Sequence, residues 1–347
     1  MAIRIGIVGA GKMGLSHFAI ANAHPKATVV AVCDTSRYVL SVLKKYAGVA
    51  TFPDYGAMIV KAGLDAVIVA TPTATHYRCA EFALQRGLHV FVEKPLTLSP
   101  FESHALAELA EARRRVNQVG FHNRFIGTFR EARRLVHAGA IGAVTHVRGS
   151  AFGPAVVKAQ ATTWRSRRAE GGGCLSDYAC HVIDLMKFVV GQPARVTSAS
   201  LESIFSKDVE DVVHATFAYA DGAIGVLEAN WSDARVRKMT TTLTIEGTIG
   251  RLVVDRQELK VELPGGPFER YPRGTSSRYI TELQGPVGYY LRGEEYSAQL
   301  DAFVDAIVSG TPATESSFAS AAEVDRLLAL VDQTSRSPSG MGVHGDA

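Results

Sequence analysis

Cysteine is scarce in this chain. There are four residues, Cys33, Cys79, Cys174 and Cys180, and no C-x-x-C pair among them. That excludes a disulfide framework or a zinc ribbon and fits reduced thiols. Cys174, Cys180 and His181 match no zinc spacing, and no metal is expected. Charge of one sign is equally short of excess. A net charge of +3 over 347 residues argues against nucleic acid or an acidic membrane as partner. No apolar run is long enough to span a bilayer. No signal-type segment is read, since the N-terminus enters a strand at once, and a cytoplasmic protein is expected. There is no internal repeat. What remains is 47% hydrophobic and 20% charged, the texture of a globular protein. Its length exceeds what one core usually holds, so two domains are expected.

The most informative stretch is Ile3 to Gly14. Ile3, Ile5, Ile7 and Val8 form an apolar run suited to a buried parallel strand. Gly9, Gly11 and Gly14 complete G-x-G-x-x-G, enclosing Ala10, Lys12 and Met13. In such a turn the glycines permit the tight exit from the strand, the approach of a pyrophosphate and the packing of the next helix. Free N–H groups at the helix start then face the phosphates. A helix is expected from Lys12 to Ala23. A second strand, 28–33, ends in Asp34, where an acid that accepts ribose hydroxyls belongs. Arg37 lies three residues beyond.

Strands are expected at 3–8, 28–33, 65–71, 88–92 and 116–120, with a short one near Thr51-Phe52. Helices are expected at 12–23, 36–46, 55–62, 75–86 and 99–114. This alternation predicts a parallel sheet with helices on both faces, and ligands beyond the carboxyl ends of the strands. The residues there include Asp34, Thr71-Pro72-Thr73, Glu93-Lys94-Pro95 and Phe121-His122-Asn123. A first domain is therefore placed at 1–122 and a second at 123–334, with 335–347 read as a disordered tail. The second begins with a helix, 128–138. Strand-like runs follow at 143–152, 194–205, 211–219, 223–231, 239–246, 250–255 and 258–263, and their alternation predicts a mainly antiparallel sheet. One face of that sheet can carry helices. The other is free for another subunit, and a homodimer or homotetramer is expected. Residues 264–290 read as a long loop, and helices are expected at 296–309 and 317–334.

The chemistry gathers in two places. Lys94 follows a buried strand directly, at its carboxyl end. The second place is Gly171-Gly-Gly-Cys-Leu-Ser-Asp177-Tyr-Ala-Cys-His181-Val-Ile-Asp184, three glycines leading into a helix expected from 176 to 190. At helical spacing Asp177, His181, Asp184 and Phe188 share one stripe. Tyr178, Val182, Leu185 and Val189 form the core stripe. Asp177 one turn from His181 can fix its tautomer and favour its charged form. An ordinary surface Asp–His pair is the alternative. Upstream stand Trp164, Arg165, Arg167 and Arg168, an anion clamp or a solvated basic loop.

These pieces together resemble the glucose–fructose oxidoreductase / inositol dehydrogenase (Gfo/Idh/MocA) family. The matching residues are Gly9 to Gly14, Thr71-Pro72 with His76, Glu93-Lys94-Pro95, Trp164-Arg165, Gly171 to Gly173, and Asp177, His181 and Asp184. The sequence departs where the family often has glycine two residues before the histidine. Ala179 stands there, between Tyr178 and Cys180. The resemblance implies an α/β chain: an N-terminal Rossmann domain, then an α+β domain with an open-faced, mainly antiparallel sheet. It implies NAD, with NADP as the alternative, held by Gly9, Ala10, Gly11, Lys12, Met13, Gly14, Asp34, Arg37, Thr71, Pro72, His76, Glu93, Lys94, Trp164 and Arg165. It marks Lys94 and His181 as the active pair with Asp177 in support, and Pro95 as often cis. The expected activity is hydride transfer between the nicotinamide and a secondary alcohol or ketone of a sugar, aminosugar, cyclitol or nucleotide sugar. A glycosidase working through transient oxidation and a catalytically silent sensor of the same fold are the alternatives.

Overall fold

A computed structural model describes residues 2–158, 163–311 and 315–337. Six strands, β1 (Ile3–Val8), β2 (Ala27–Cys33), β3 (Ala50–Phe52), β4 (Ala66–Val69), β5 (His89–Val92) and β6 (Asn117–Val119), form a parallel sheet ordered β3-β2-β1-β4-β5-β6. The chain reverses direction across the sheet between β1 and β4, and a crevice opens at such a point beyond the strand ends. The four residues of β4 are wholly buried, as a central parallel strand between two helical layers must be. The helices of this part are α1 (Lys12–Ala23), α2 (Arg37–Ala47), α3 (Tyr55–Lys61), α4 (His76–Gln85) and α5 (Pro100–Ala112). Local signals set their ends. The Ser36 and Asp54 side chains cap α2 and α3, and Gly48 closes α2 in the left-handed region.

After α6 (Gly127–His137) eight strands build the second sheet: β7 (Val144–Phe152), β8 (Arg195–Glu202), β9 (Val212–Ala218), β10 (Ile224–Asn230), β11 (Thr240–Gly247), β12 (Arg251–Asp255), β13 (Glu258–Leu263) and β14 (Gly274–Tyr279). Their order is β14-β13-β12-β11-β7-β10-β9-β8, antiparallel except between β7 and β10. Alternate residues such as Leu243, Ile245, Leu252, Val254, Leu259 and Val261 are fully buried. They face α7 (Cys180–Val189) and α6. A side chain at Gly149 of β7 would lie 2.3 Å from Val182 of α7, so the helix rests directly on the strand. After β14 come α8 (Ile280–Leu283), α9 (Glu294–Ser309) and α10 (Phe318–Ser335). The last two return to the parallel sheet: Phe303 of α9 packs edge-on to Phe91 of β5, and α10 shares its core with Leu106 and Ala110 of α5.

Four expectations need correction. Residues 264–290 are not one loop, because β14 and α8 lie inside it. β14 is an edge strand of small polar residues, Gly-Thr-Ser-Ser-Arg-Tyr, and an edge with no buried face leaves no alternation to read. The strand expected at 194–205 stops at Glu202, where Asp211 takes over the backbone N–H groups that would have continued the ladder. The helix expected at 176–190 is an α-helix only from Cys180, and residues Leu175–Ala179 form a π turn. Nor is α7 two-faced: His181, Asp184 and Phe188 are as buried as Val182 and Leu185. At the C-terminus α10 extends through Ser335, and most of the expected tail, 338–347, lies outside the described residues.

Candidate active site

The glycine turn sits at the crevice. Gly9 adopts φ +96, and a side chain at Gly14 would lie 1.8 Å from the Gly9 carbonyl oxygen, so helix and strand meet with no room for a Cβ. Gly11, by contrast, faces open space. It starts α1, whose first turn carries no acid and no capping side chain. Its N–H groups are thus left for an anion, which is how this fold receives a pyrophosphate. Asp34 binds the same turn: one carboxylate oxygen accepts the Ala10 N–H at 2.6 Å and the other the Ser36 N–H at 2.7 Å. Arg37 is exposed at the start of α2, and Lys12 and Met13 stand at the start of α1. The residues present fit a dinucleotide.

Next to it, Thr71 and Pro72 leave β4, and Glu93-Lys94-Pro95 leaves β5 with a cis Lys94–Pro95 bond. His76, implied as a cofactor contact, does not reach the cleft. It is buried, and its ring spans the Thr71 carbonyl at 2.9 Å and the Pro95 carbonyl at 3.0 Å. It joins two site loops from beneath. Glu93 likewise turns inward, 2.7 Å from the His17 ring nitrogen. Burial would raise its pKa, but the His17 hydrogen bond and the charges of His17 and Lys94 outweigh that and lower it.

Lys94 reaches Asp177, with Nζ 2.6 Å from Oδ1 and 2.9 Å from the Asp177 carbonyl. Arg165 Nε donates to the other carboxylate oxygen at 3.0 Å, and its guanidinium lies over the Trp164 ring. Burial works against the Lys94 charge, yet Asp177 prevails and its pKa rises. Burial works against the Asp177 charge too, and Lys94 and Arg165 hold its pKa below the usual value. The i,i+4 spacing predicted that Asp177 would serve His181. It does not, because the π turn swings Asp177 toward Lys94 and Arg165. A wide turn of this kind often marks a functional position.

His181 is buried and faces His122, at 4.9 Å between ring centroids, and the edge of Phe121 at 6.2 Å. Its Nδ1 has no hydrogen-bond partner among the described residues. Desolvation first, then the charge of Lys94 and the nearness of His122, push its pKa well below the ordinary histidine value. These causes favour the neutral ring. Asp184, expected on the same edge, points away and binds Arg124 through both oxygens, at 3.0 and 2.9 Å from Nε. Arg167 pairs with Glu170 at 2.9 Å, and Arg168 with Glu210 at 3.0 Å and Asp332 at 3.3 Å.

A cleft of about 640 Å³ opens beside Asp177, lined among others by Lys12, Arg165, Tyr178 and Phe205. That lies within the usual size of small-molecule sites. His17, Arg124 and Tyr296 were not legible as site residues. Tyr296 of α9 stacks on His122, at 4.6 Å and 17° between the rings. His122 was visible only as a residue beyond β6. Among the described residues no group of three His, Cys, Asp or Glu is placed to hold a metal. No helix among them is long and apolar enough to cross a membrane.

Comparison with known proteins adds to this geometry. A model described as an oxidoreductase family with an NAD-binding Rossmann fold matches residues 3–121, and one for the GFO/IDH/MocA C-terminal domain matches residues 129–253. Levoglucosan dehydrogenase of Pseudarthrobacter phenanthrenivorans is 26% identical over 329 residues, covering 84% of this chain and 82% of the relative. The NAD-dependent scyllo-inositol 2-dehydrogenase of Bacillus subtilis is 30% identical over 237 residues, covering 66% and 67%. Among solved structures, levoglucosan dehydrogenase in complex with NADH and levoglucosan superimposes with a TM-score of 0.85 at 25% identity, covering 96% of this chain and 97% of that one.

Proposed function

The chain belongs to the GFO/IDH/MocA family of NAD-binding oxidoreductases, and on that premise we propose that it oxidises a ring secondary hydroxyl of a neutral, sugar-like substrate, with Lys94 and His181 dividing the work on that hydroxyl. It is an NAD-dependent dehydrogenase acting on CH–OH groups. The turn from Gly9 to Gly14 and Asp34 would hold the dinucleotide, which supplies the hydride acceptor when bound. The observation that carries the division of roles is the contrast between the two basic side chains of the site, Lys94 ion-paired with Asp177 and His181 buried with no partner for its Nδ1 among the described residues. Lys94, paired with Asp177, is kept charged. His181 is kept neutral. A group fixed as a cation can stabilise negative charge developing on the substrate oxygen. A neutral imidazole can accept the hydroxyl proton and return it in the reverse direction. Asp177 holds Lys94 in place and tethers Arg165 at the cleft.

The ring-alcohol substrate follows the relatives' names: levoglucosan, inositol and glucoside dehydrogenases. The neutral assignment is supported by Arg167 and Arg168, which are ion-paired with Glu170, Glu210 and Asp332. The test is NADH formation, followed optically, across cyclitols, free sugars, glycosides, aminosugars and nucleotide sugars. Turnover of neutral members with NAD is expected. A preference for nucleotide sugars that is lost in Arg167→Ala would reverse the neutral assignment, and no turnover of any member would remove the enzymatic reading.

A further inference from the structure

The loop between β8 and β9 is held in an unusual way. Asp211, wholly buried, accepts three consecutive backbone N–H groups on one oxygen: Ile204 at 2.6 Å, Phe205 at 2.6 Å and Ser206 at 2.9 Å. Its other oxygen accepts the Ser206 hydroxyl and the Trp231 indole N–H, each at 2.6 Å. Burial alone would raise the pKa of such a group, but these donors lower it, so the carboxylate stays charged and bound. A surface loop pinned by four hydrogen bonds to one carboxylate, itself held by the Trp231 indole, has given up the freedom loops normally keep.

What the loop displays is an aromatic ring. Phe205 is 38% exposed, and it lines the same cleft as Asp177 and Tyr178. The anchor is shared with the catalytic segment. Trp231 packs edge-on to Tyr178, 6.4 Å between ring centroids. Glu210, the neighbour of Asp211, accepts the Leu175 N–H at 2.9 Å, where the π turn carrying Asp177 begins. Two adjacent carboxylates thus fix the Asp177 segment and the Phe205 loop to one frame. An exposed aromatic held rigidly in a cleft loses little entropy on binding and offers a flat apolar face.

We propose that Phe205 is a specificity-determining platform that stacks on an apolar, aryl-like group carried by a glycoside substrate, and that Asp211 is the positioning residue that fixes it. This rests on the dehydrogenase reading above and names the substrate class of the cleft that adjoins Lys94 through Asp177. The reacting ring would lie toward Lys94, which meets this cleft through its partner Asp177, with its aglycone over Phe205.

The test compares p-nitrophenyl and methyl β-D-glucopyranoside, titrated by calorimetry into the NADH-loaded enzyme. The wild type should bind the aryl glycoside about ten-fold more tightly, a modest figure for one aromatic stack plus apolar burial. Phe205→Ala should abolish that ratio and Phe205→Trp should keep it. Phe205 sits on an exposed loop, so its variants should fold. Asp211→Asn, which loses acceptor capacity for the loop donors, should lower the ratio several-fold; a lower melting temperature with the ratio intact would make Asp211 merely structural. Equal binding of the two glycosides by the wild type, binding of neither, or a preference that survives Phe205→Ala would overturn the proposal. The panel of sugars with NAD decides the dehydrogenase reading separately. Turnover of any sugar with no aryl preference leaves that reading standing while this one fails.

Discussion

The Lys94 ammonium lies 2.6 Å from the Asp177 carboxylate, joining the loop after β5 to the π turn before α7 across 83 residues of sequence. Both side chains are largely shielded, at 14% and 11% exposure. Breaking a shielded pair from one side leaves an uncompensated charge, and costs more than a surface pair is worth.

Asp177→Asn should therefore disable the enzyme nearly as severely as Lys94→Ala. Had Asp177 only tuned His181, its loss would be mild. Here its loss removes the partner that keeps Lys94 charged and in place, and frees Arg165 as well. Steady-state kinetics of both variants decide it. A fall in kcat of roughly 10²-fold or more is expected for each, in line with loss of one electrostatic stabiliser. A small effect of Asp177→Asn beside a dead Lys94→Ala would return Asp177 to a secondary place.

His181→Ala should lower kcat by ~10²–10⁴, the usual contribution of a general base, with NAD affinity nearly intact. The pH profile follows from the lowered pKa of His181, whose causes are burial, Lys94 and His122. A base works in its neutral form, whose fraction rises with pH. A depressed pKa moves the acid limb of kcat/KM for oxidation downward, so activity should stay flat through the ordinary histidine range and fall only at lower pH. A limb at the ordinary value, persisting in His181→Ala, would point to another base.

Much of the parallel sheet could be read from the sequence because its strands are buried on both faces. Ala66 to Val69 of β4 and Val90 to Val92 of β5 signal themselves by being apolar without alternation. Gly9 and Gly14 were legible for the same kind of reason, since each meets a geometric demand that other residues fail. The Asp177–His181 relation was misread because helical spacing assumes a uniform helix, and the π turn that breaks it leaves no mark in composition. Tyr296 beside His122, and His17 beneath Glu93, are meetings of distant segments that no local pattern encodes. β14 was missed because an exposed edge strand has no buried face to show.

Asp34→Ala should weaken NAD binding and narrow its advantage over NADP. A carboxylate at the end of β2 suits the free hydroxyls of a ribose and repels a 2′-phosphate. Asp34 also accepts the Ala10 N–H, so its loss loosens the glycine turn itself. Arg37, exposed and without an ion pair among the described residues, is placed to meet a 2′-phosphate once the acid is gone. Catalytic efficiencies with the two cofactors, measured before and after the change, give the answer. Equal efficiency with NADP in the unaltered enzyme would contradict the role given to Asp34.

Asp325 of α10 should make stability depend on pH in the sense opposite to a surface aspartate. It is buried, accepts the Ser103 hydroxyl at 2.6 Å and the Thr97 N–H at 3.1 Å, and leaves its other oxygen without a partner. Burial pushes its pKa from 3.8 up to about 7, with those two hydrogen bonds opposing. Between these values the folded chain keeps a proton that the unfolded chain has released. Stability is therefore spared below the lower value and lost as pH rises toward the upper one, by an amount on the order of a few kcal/mol at about 1.4 kcal/mol per unit. Asparagine carries no such charge. Subtracting the melting temperature of the wild type from that of Asp325→Asn cancels every other titrating group, and the difference should climb by several degrees between pH 5 and pH 8. The variant starts from some disadvantage, because its amide must replace the Thr97 and Ser103 contacts, but that disadvantage does not titrate. A difference that stays constant over this range would mean that Asp325 is ionised in the folded chain throughout, and that the loop from Pro95 to Thr97 rests on a charged support.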